Sequence, residues 1–389
     1  MQHLRKIFML SPVRHILALL GLLGAGLYFA LHGNSAMMTL YRDGFLRPLH
    51  RFLSAATGRL PFSLASLIIA AAVLAALAYI AYSLYKFIKG LIDNKALKRR
   101  KTTELIKPLY LLAVTALCAA SLIYSGFCWL WGVYYDTADF EERSGIHAEP
   151  VSVERLYAVT SYFTGLVNEY AKETQRNEDG SIAIESESIF AYSSGLYDKI
   201  GQKIPALSED LSVPAKPFFP SKAMSLLDFT GFYFPFTGEA NINTDCPAAL
   251  IPATISHELA HLRGVAEEDE ANFFGILACL EDGDPVYSYS ACLLAYIHLG
   301  NALYSAVPEL WRENYEKLCP EAKADLKENN DYWAKYKNSS IKKASNKVYE
   351  GFLQGYGQKD GLRTYGKCVD LLIAYFAENV EKTHDREGV

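Results

Sequence analysis

The sequence predicts a mainly helical α+β chain in which N-terminal transmembrane helices precede a separate domain containing a small edge-strand sheet. Three observations carry that reading. Long uncharged apolar runs crowd the first third of the chain, a histidine pair at helical spacing stands at His257 and His261, and a short aromatic stretch bounded by turn residues lies just upstream of that pair.

At 389 residues and 51% apolar content, the chain has room for one large domain and a further region. Residues 16–31, 62–84 and 109–133 are dominated by Leu, Ala, Ile, Val and aromatic side chains. An uncharged run of about 20 residues spans the hydrocarbon of a bilayer and is hard to bury otherwise. Residues 1–135 therefore read as a membrane region with three transmembrane helices and the lipid bilayer as partner. Arg5, Lys6 and Arg14 before the first run would also suit a signal peptide, but no small-x-small cleavage site follows Leu31, which favours an anchor. Orientation comes from Lys86, Lys89, Lys95, Lys98, Arg99, Arg100, Lys101 and Lys107, set against only Asp93 and Glu104 between the second and third runs. Positive loops stay in the cytoplasm. The chain is thus expected to be a multi-pass protein of the cytoplasmic membrane, its N-terminus cytoplasmic and everything after Tyr135 extracytoplasmic. Arg42, Arg47, Arg51 and Arg59 in the first loop weaken this orientation without reversing it.

A net charge of −5, without a basic cluster interleaved with aromatics outside the membrane loop, argues against nucleic acid as a partner. Cys246, Cys279, Cys292, Cys319 and Cys368 lack metal-ligand or disulfide-framework spacing, which predicts mostly buried thiols with at most one or two bridges.

Residues 136–150, polar and closed by Pro150, read as a linker to a domain over 151–389. Leu156, Val159, Phe163, Val167 and Tyr170 predict an amphipathic helix over 151–174, and a second helix is expected over 190–204. Three prolines make 213–220 an extended loop. Thr230 to Phe236 and Ala240 to Asn243, joined by Thr237-Gly238-Glu239, read as a strand, a turn and a strand, with Pro235 on a sheet edge. Such an edge could accept a peptide as an added strand, which nominates Phe234, Ala240 and Asn241 as substrate-binding residues. An ordinary hairpin closing the core is the competing reading. Residues 286–307 are apolar but interrupted by Tyr, Ser, His298 and Asn301, which suits a buried helix, with a fourth membrane segment as the alternative. The Lys-rich 321–350 reads as solvated helix and loop, and 369–376 as the start of a last amphipathic helix.

His257-Glu258-Leu259-Ala260-His261 is the helical zinc motif of metallopeptidases: the histidines share one helix face and the glutamate stands beside the metal's water. Ordinary composition supplies this pattern in a chain of this length about one time in a hundred. Pro252 suits the first turn of that helix and Gly264 the position past its end, which bounds it at about Pro252 to Arg263. A catalytic zinc needs three protein ligands and an open position. The third should come from a helix starting near Glu267. Glu267 completes H-E-x-x-H-x-x-G-x-x-E, and Glu268 opens E-x-x-A-N. Glu268 is preferred, with Glu267 the alternative, because Asn272 then lies one turn on and could fix the outer N–H of a ligand histidine. Glu270 is expected to be solvated. His147 and His298 are lone histidines with a structural role.

The motif, together with Glu268-Asp269-Glu270-Ala271-Asn272-Phe273 and the Phe232 to Asn241 stretch, resembles a bacterial membrane-protein family known as domain of unknown function 3810. The resemblance covers nearly the whole chain. It implies a zincin-like metallopeptidase domain, and its pattern places the shared acid at Glu268. The expected activity is a membrane-anchored, zinc-dependent metallopeptidase acting on extracytoplasmic protein or peptide substrates. Zn2+ would be held by His257, His261 and Glu268, with Glu258 as general base. Tyr365 is the candidate donor to the oxyanion. The alternatives are a catalytically silent zinc-binding sensor or envelope-partner-binding protein, and a zinc amidase acting on cell-envelope material. Glu258 favours an enzyme, since a closed structural site has no use for a carboxylate there.

Overall fold

A computed structural model describes residues 9–97, 102–138, 140–148, 152–208, 211–337, 340–355 and 365–387. Its first helices are α1 (Pro12–Leu31), α2 (Ser35–Tyr41), α3 (Arg47–Thr57), α4 (Leu64–Leu97) and α5 (Thr102–Leu130). The chain forms two compact units, one from Met1–Leu46 with Ala65–Thr137 and one from Arg47–Leu64 with Ala138–Val389.

In the first unit, three helices are long and apolar enough to cross a membrane, over Pro12–Leu31, Leu64–Asp93 and Leu105–Leu130. Leu19, Leu20, Leu74 and Leu77 on α1 and α4 are exposed, a pattern that hydrocarbon tolerates and water does not. α1 packs on α5 through small residues: a Cβ on Gly21 would lie 2.7 Å from the backbone carbon of Ser121. Arg14, inside α1, is satisfied by Tyr79 OH at 2.7 Å and Thr115 Oγ1 at 2.8 Å.

The second unit contains α6 (Phe140–Ser144), α7 (Val153–Glu173), α8 (Ser186–Tyr192) and α9 (Asp198–Lys203). A sheet follows, made of β1 (Lys216–Pro217), β2 (Gly231–Phe234) and β3 (Glu239–Ile242), with α10 (Ser221–Leu227) between its first two strands. After it come α11 (Ile251–Leu262), α12 (Glu268–Asp282), α13 (Pro285–Ala306), α14 (Pro308–Glu316), α15 (Pro320–Ala334), α16 (Ser340–Gly355) and α17 (Tyr365–Glu387). The strand order is β1-β3-β2, with β1 parallel and β2 antiparallel to the central β3.

α11 lies at the centre, packed on the sheet, α12 and α13. Phe163 and Val167 of α7, Ile255 and Leu259 of α11, Phe273 and Phe274 of α12 and Leu371 of α17 share one core. The apolar face of α7 is buried as its period predicts, and α13 is buried almost all round, which makes it a core helix. The helix expected over 190–204 is broken instead. Ser193 Oγ donates to Phe190 O at 2.7 Å and accepts from Ala215 N at 3.0 Å, which draws the backbone into a 3-10 turn before Gly195.

Two stretches assigned by sequence to the linker and the membrane region belong to this unit. Phe140, in the expected linker, is buried against Phe274 with ring centroids 4.7 Å apart, and the Glu270 carboxylate accepts from the N–H groups of Phe140 and Glu141 at 3.2 Å. Residues Arg47–Leu64 are tied to the sheet by a buried polar network. Lys216 Nζ reaches Thr57 O at 2.5 Å, Phe62 O at 3.1 Å and Glu239 Oε1 at 2.9 Å, and the same Glu239 oxygen accepts from Leu64 N at 3.0 Å. A buried Lys–Glu pair is tolerable only when its remaining donors and acceptors are satisfied in this way. Pro235 falls in the β2–β3 turn rather than on a strand edge, with Gly238 at φ +67° closing that turn. All seven cysteines are free thiols.

Candidate metal centre

α11 has proline in its first turn, and Gly264 follows it at φ +78°, as the sequence predicts. His257 and His261 stand one turn apart near its C-terminal end. α12 begins at Glu268, with Glu267 as its N-cap residue. The two helices approach closely because Gly275 has no side chain. A Cβ there would sit 3.0 Å from His257 N, and Ser256 Oγ donates to Gly275 O at 2.8 Å. Gly275 lies seven residues beyond Glu268 and three beyond Asn272, so the same helix face carries all three. Close packing at the glycine brings the acid and the amide to the histidines.

His257 Nε2 is 3.0 Å from His261 Nε2 and 3.2 Å from Glu268 Oε2, and the remaining edge of the triangle is 3.6 Å. Three ligands at zinc's bond lengths of about 2.0 to 2.1 Å sit about 3.3 Å apart on one face of a tetrahedron. The outer ring nitrogens fix the protons. His261 Nδ1 donates to Val265 O at 2.7 Å, and His257 Nδ1 donates to Asn272 Oδ1 at 2.9 Å. With both Nδ1 atoms donating outward, the two Nε2 atoms face each other and a carboxylate. Such an arrangement calls for a positive charge at its centre. Burial opposes charge on His261, but the Glu268 carboxylate outweighs it and raises the imidazole's pKa to about 9; the histidines in turn hold Glu268 well below the usual carboxylate range. Among the described residues, His257, His261 and Glu268 form a group able to hold a metal ion.

A family model described as a protein of unknown function (DUF3810) matches residues 41–373. The chain belongs to that family. Comparison with curated proteins found no match, and comparison with solved structures found none. In this DUF3810 chain the match takes in the metal-ligand group, the sheet and most of the first unit.

Glu258 is buried beside the group, on the side of β2. Burial raises its pKa to about 7, against the opposing pull of His257 and His261, and the backbone N–H of Tyr233 bonds to its carboxylate. Its Oε2 atom is buried without a hydrogen-bond partner among the described residues. Gly231 makes room for it: a Cβ there would lie 2.6 Å from Glu258 Oε1 and 2.7 Å from its Cγ. Sequence reading missed both glycines. The signal for Gly275 was its place on the face of Glu268 and Asn272; for Gly231, it was a glycine opening an aromatic strand.

Glu267 turns away from the group and pairs with Lys367 Nζ at 2.8 Å. Glu270 is not solvated, as expected from sequence, but 1% exposed, bonded to the N–H groups of Phe140 and Glu141 and to Lys367. Ala240 and Asn241 do not lie on an open edge. They are buried in the central strand, because the proline-containing β1, too short to show a strand pattern, pairs with β3 on its other flank. Phe234 ends the outer strand β2 and is half-buried. Tyr365 opens α17, and its side chain lies outside the described residues. His298 is buried in α13 and its pKa is pulled down to about 4, as suits a neutral core residue; His147 is exposed.

Proposed function

We propose that this protein is a membrane-anchored zinc metallopeptidase that hydrolyses peptide bonds of extracytoplasmic protein or peptide substrates. His257, His261 and Glu268 would be the metal ligands. The observation that carries this reading is the convergence of three potential ligand atoms beside a buried carboxylate oxygen that has no hydrogen-bond partner among the described residues. A zinc ion in such a set supplies Lewis acidity, which acidifies water and polarises a carbonyl. Glu258 would take that water's proton on Oε2 and return it to the leaving amine, a role suited to a buried carboxylate beside the metal-ligand group with an oxygen to spare. Asn272 and Val265 O hold the two imidazoles in the ligand tautomer. The N–H of Tyr233 points from the outer edge of β2 at Glu258, so an extended peptide added along that edge would run past the site.

Sidedness follows from the lysine-rich stretch between α4 and α5, which is retained in the cytoplasm. Arg47–Leu64 packs on the same unit as the chain after Thr137. The first of these segments is one apolar helix from the N-terminus and the second is three, so three spanning helices put both on one side of the membrane.

The purified full chain is expected to contain about one zinc per molecule by elemental analysis and to cleave an unstructured peptide library in a chelator-sensitive way. A metal-free protein from careful preparation overturns the reading. Gly231→Ala should keep the metal and fold with a loss of about 1 to 3 kcal/mol from overpacking. Its turnover should fall roughly 100-fold as Glu258 is displaced, the order of effect assigned to a general base. Thermal unfolding, zinc content and turnover measured on one sample separate these outcomes.

A further inference from the structure

Helix α3 presents an unusual surface. Its buried residues are the polar His50, Ser54 and Thr57, which pack on the β2–β3 hairpin. Ser54 Oγ donates to Gly238 O at 2.7 Å, Thr57 Oγ1 donates to Thr237 O at 3.2 Å, and the His50 ring meets that of Tyr233 edge-on at 5.9 Å. The opposite face is formed by Pro48, Phe52, Ala55 and Ala56, all exposed, with Phe52 at 70%. Leu49 and Leu53 border this face on one side and Arg47 and Arg51 on the other. A water-facing helix turns its apolar stripe inward and hydrates its polar one. α3 does the reverse, and an apolar face with an aromatic centre and an arginine border is the pattern of a helix lying in a bilayer interface.

Chain continuity identifies what covers this face. α1, a candidate span, ends at Leu31, and the next candidate span begins at Leu64, seven residues after the end of α3. The start of that span is fixed to the sheet on which α3 rests: Ser63 Oγ donates to Asn241 Oδ1 at 2.6 Å and Leu64 N to Glu239 Oε1 at 3.0 Å. α3 and the residues that open the next candidate span thus rest on the same sheet, with seven positions of chain from Thr57 to Leu64.

We propose that α3 is a lipid-contacting surface, lying in the headgroup–acyl boundary of the membrane that anchors the chain, with Phe52 among the acyl chains. The location bears on the metal-ligand group as well. Asn241, bonded to Ser63, pairs with Phe232 across one strand spacing of about 5 Å, and Phe232 adjoins Gly231, the residue against Glu258. The hairpin on which α3 rests is thus the one that reaches Glu258.

The test places a nitroxide at Phe52→Cys in the full chain, reconstituted in nanodiscs of phosphatidylcholine and phosphatidylglycerol. The exposed Glu328→Cys on α15 serves as the aqueous reference, and the signal of identically treated wild type is subtracted. The ratio of collisions with oxygen to collisions with a nickel chelate is expected to be several-fold higher at position 52 than at 328. Equal ratios would mean that the face looks into water and would overturn the proposal. Protection from both reagents would mean a protein cover, with dipolar broadening if that cover is a second copy, and would also overturn it. Ala56→Cys, a smaller change on the same face, should repeat the result, and an unchanged thermal midpoint shows that neither label disturbs the fold.

Discussion

Glu258→Gln is expected to retain about one zinc per chain and to lose hydrolysis by roughly 10²- to 10⁴-fold, the contribution of a positioned general base. The amide has the shape of the carboxyl and can keep the bond from the backbone N–H of Tyr233, so the space against Gly231 stays filled. It cannot take up a proton where Oε2 stands. Folding should be unharmed, because the substitution removes an ionisable group that is 3% exposed and whose charged form burial already disfavours. Stability and metal content therefore serve as internal controls. The informative measurement compares envelope proteins from cells carrying wild type or Glu258→Gln, with zinc content determined for both purified chains. Wild-type cleavage by a metal-loaded Glu258→Gln chain would remove Glu258 from the reaction and with it the proposed mechanism.

Local pattern made much of this legible in the sequence. The three apolar helices, α7, α11 and α13 follow from hydrophobic period and length, and the proline and glycine at the ends of α11 bound it to within a residue. The ligand spacing is local too, since His257 and His261 share one helix and Glu268 and Asn272 another. What stayed hidden depends on partners far apart along the chain. Arg47–Leu64 reads as a basic loop between membrane helices, and only the bonds to residues 178 and 184 positions away make it part of the sheet's surroundings. Glu270 reads as one acid among four. Its burial depends on the N–H groups of Phe140 and Glu141, in a segment whose composition is that of a linker. β1, two residues long with a proline, has no period at all, yet its pairing with β3 turns Ala240 and Asn241 from edge residues into central ones.

Glu268→Ala and Glu267→Ala should separate two neighbouring acids that spacing alone leaves in competition. Glu268 supplies the third atom of the group, 3.2 Å from His257 Nε2, and its loss leaves two imidazoles with nothing to balance a dication. Metal affinity should fall by more than the 10- to 100-fold expected for removal of a supporting group such as Asn272. Glu267 instead pairs with Lys367, which also contacts Glu141 at 2.9 Å and the buried Glu270 at 3.2 Å. Because the Glu267 side chain is 32% exposed and Lys367 keeps two carboxylates without it, Glu267→Ala should cost no more than about 1 kcal/mol. Its zinc affinity should match wild type. Competition against a chromophoric chelator measures the affinities, and thermal unfolding measures the cost. If Glu267→Ala released the metal while Glu268→Ala kept it, the ligand set would have to be rebuilt around the N-cap residue. The Lys367 cluster would then be the part of the fold that opens to deliver it.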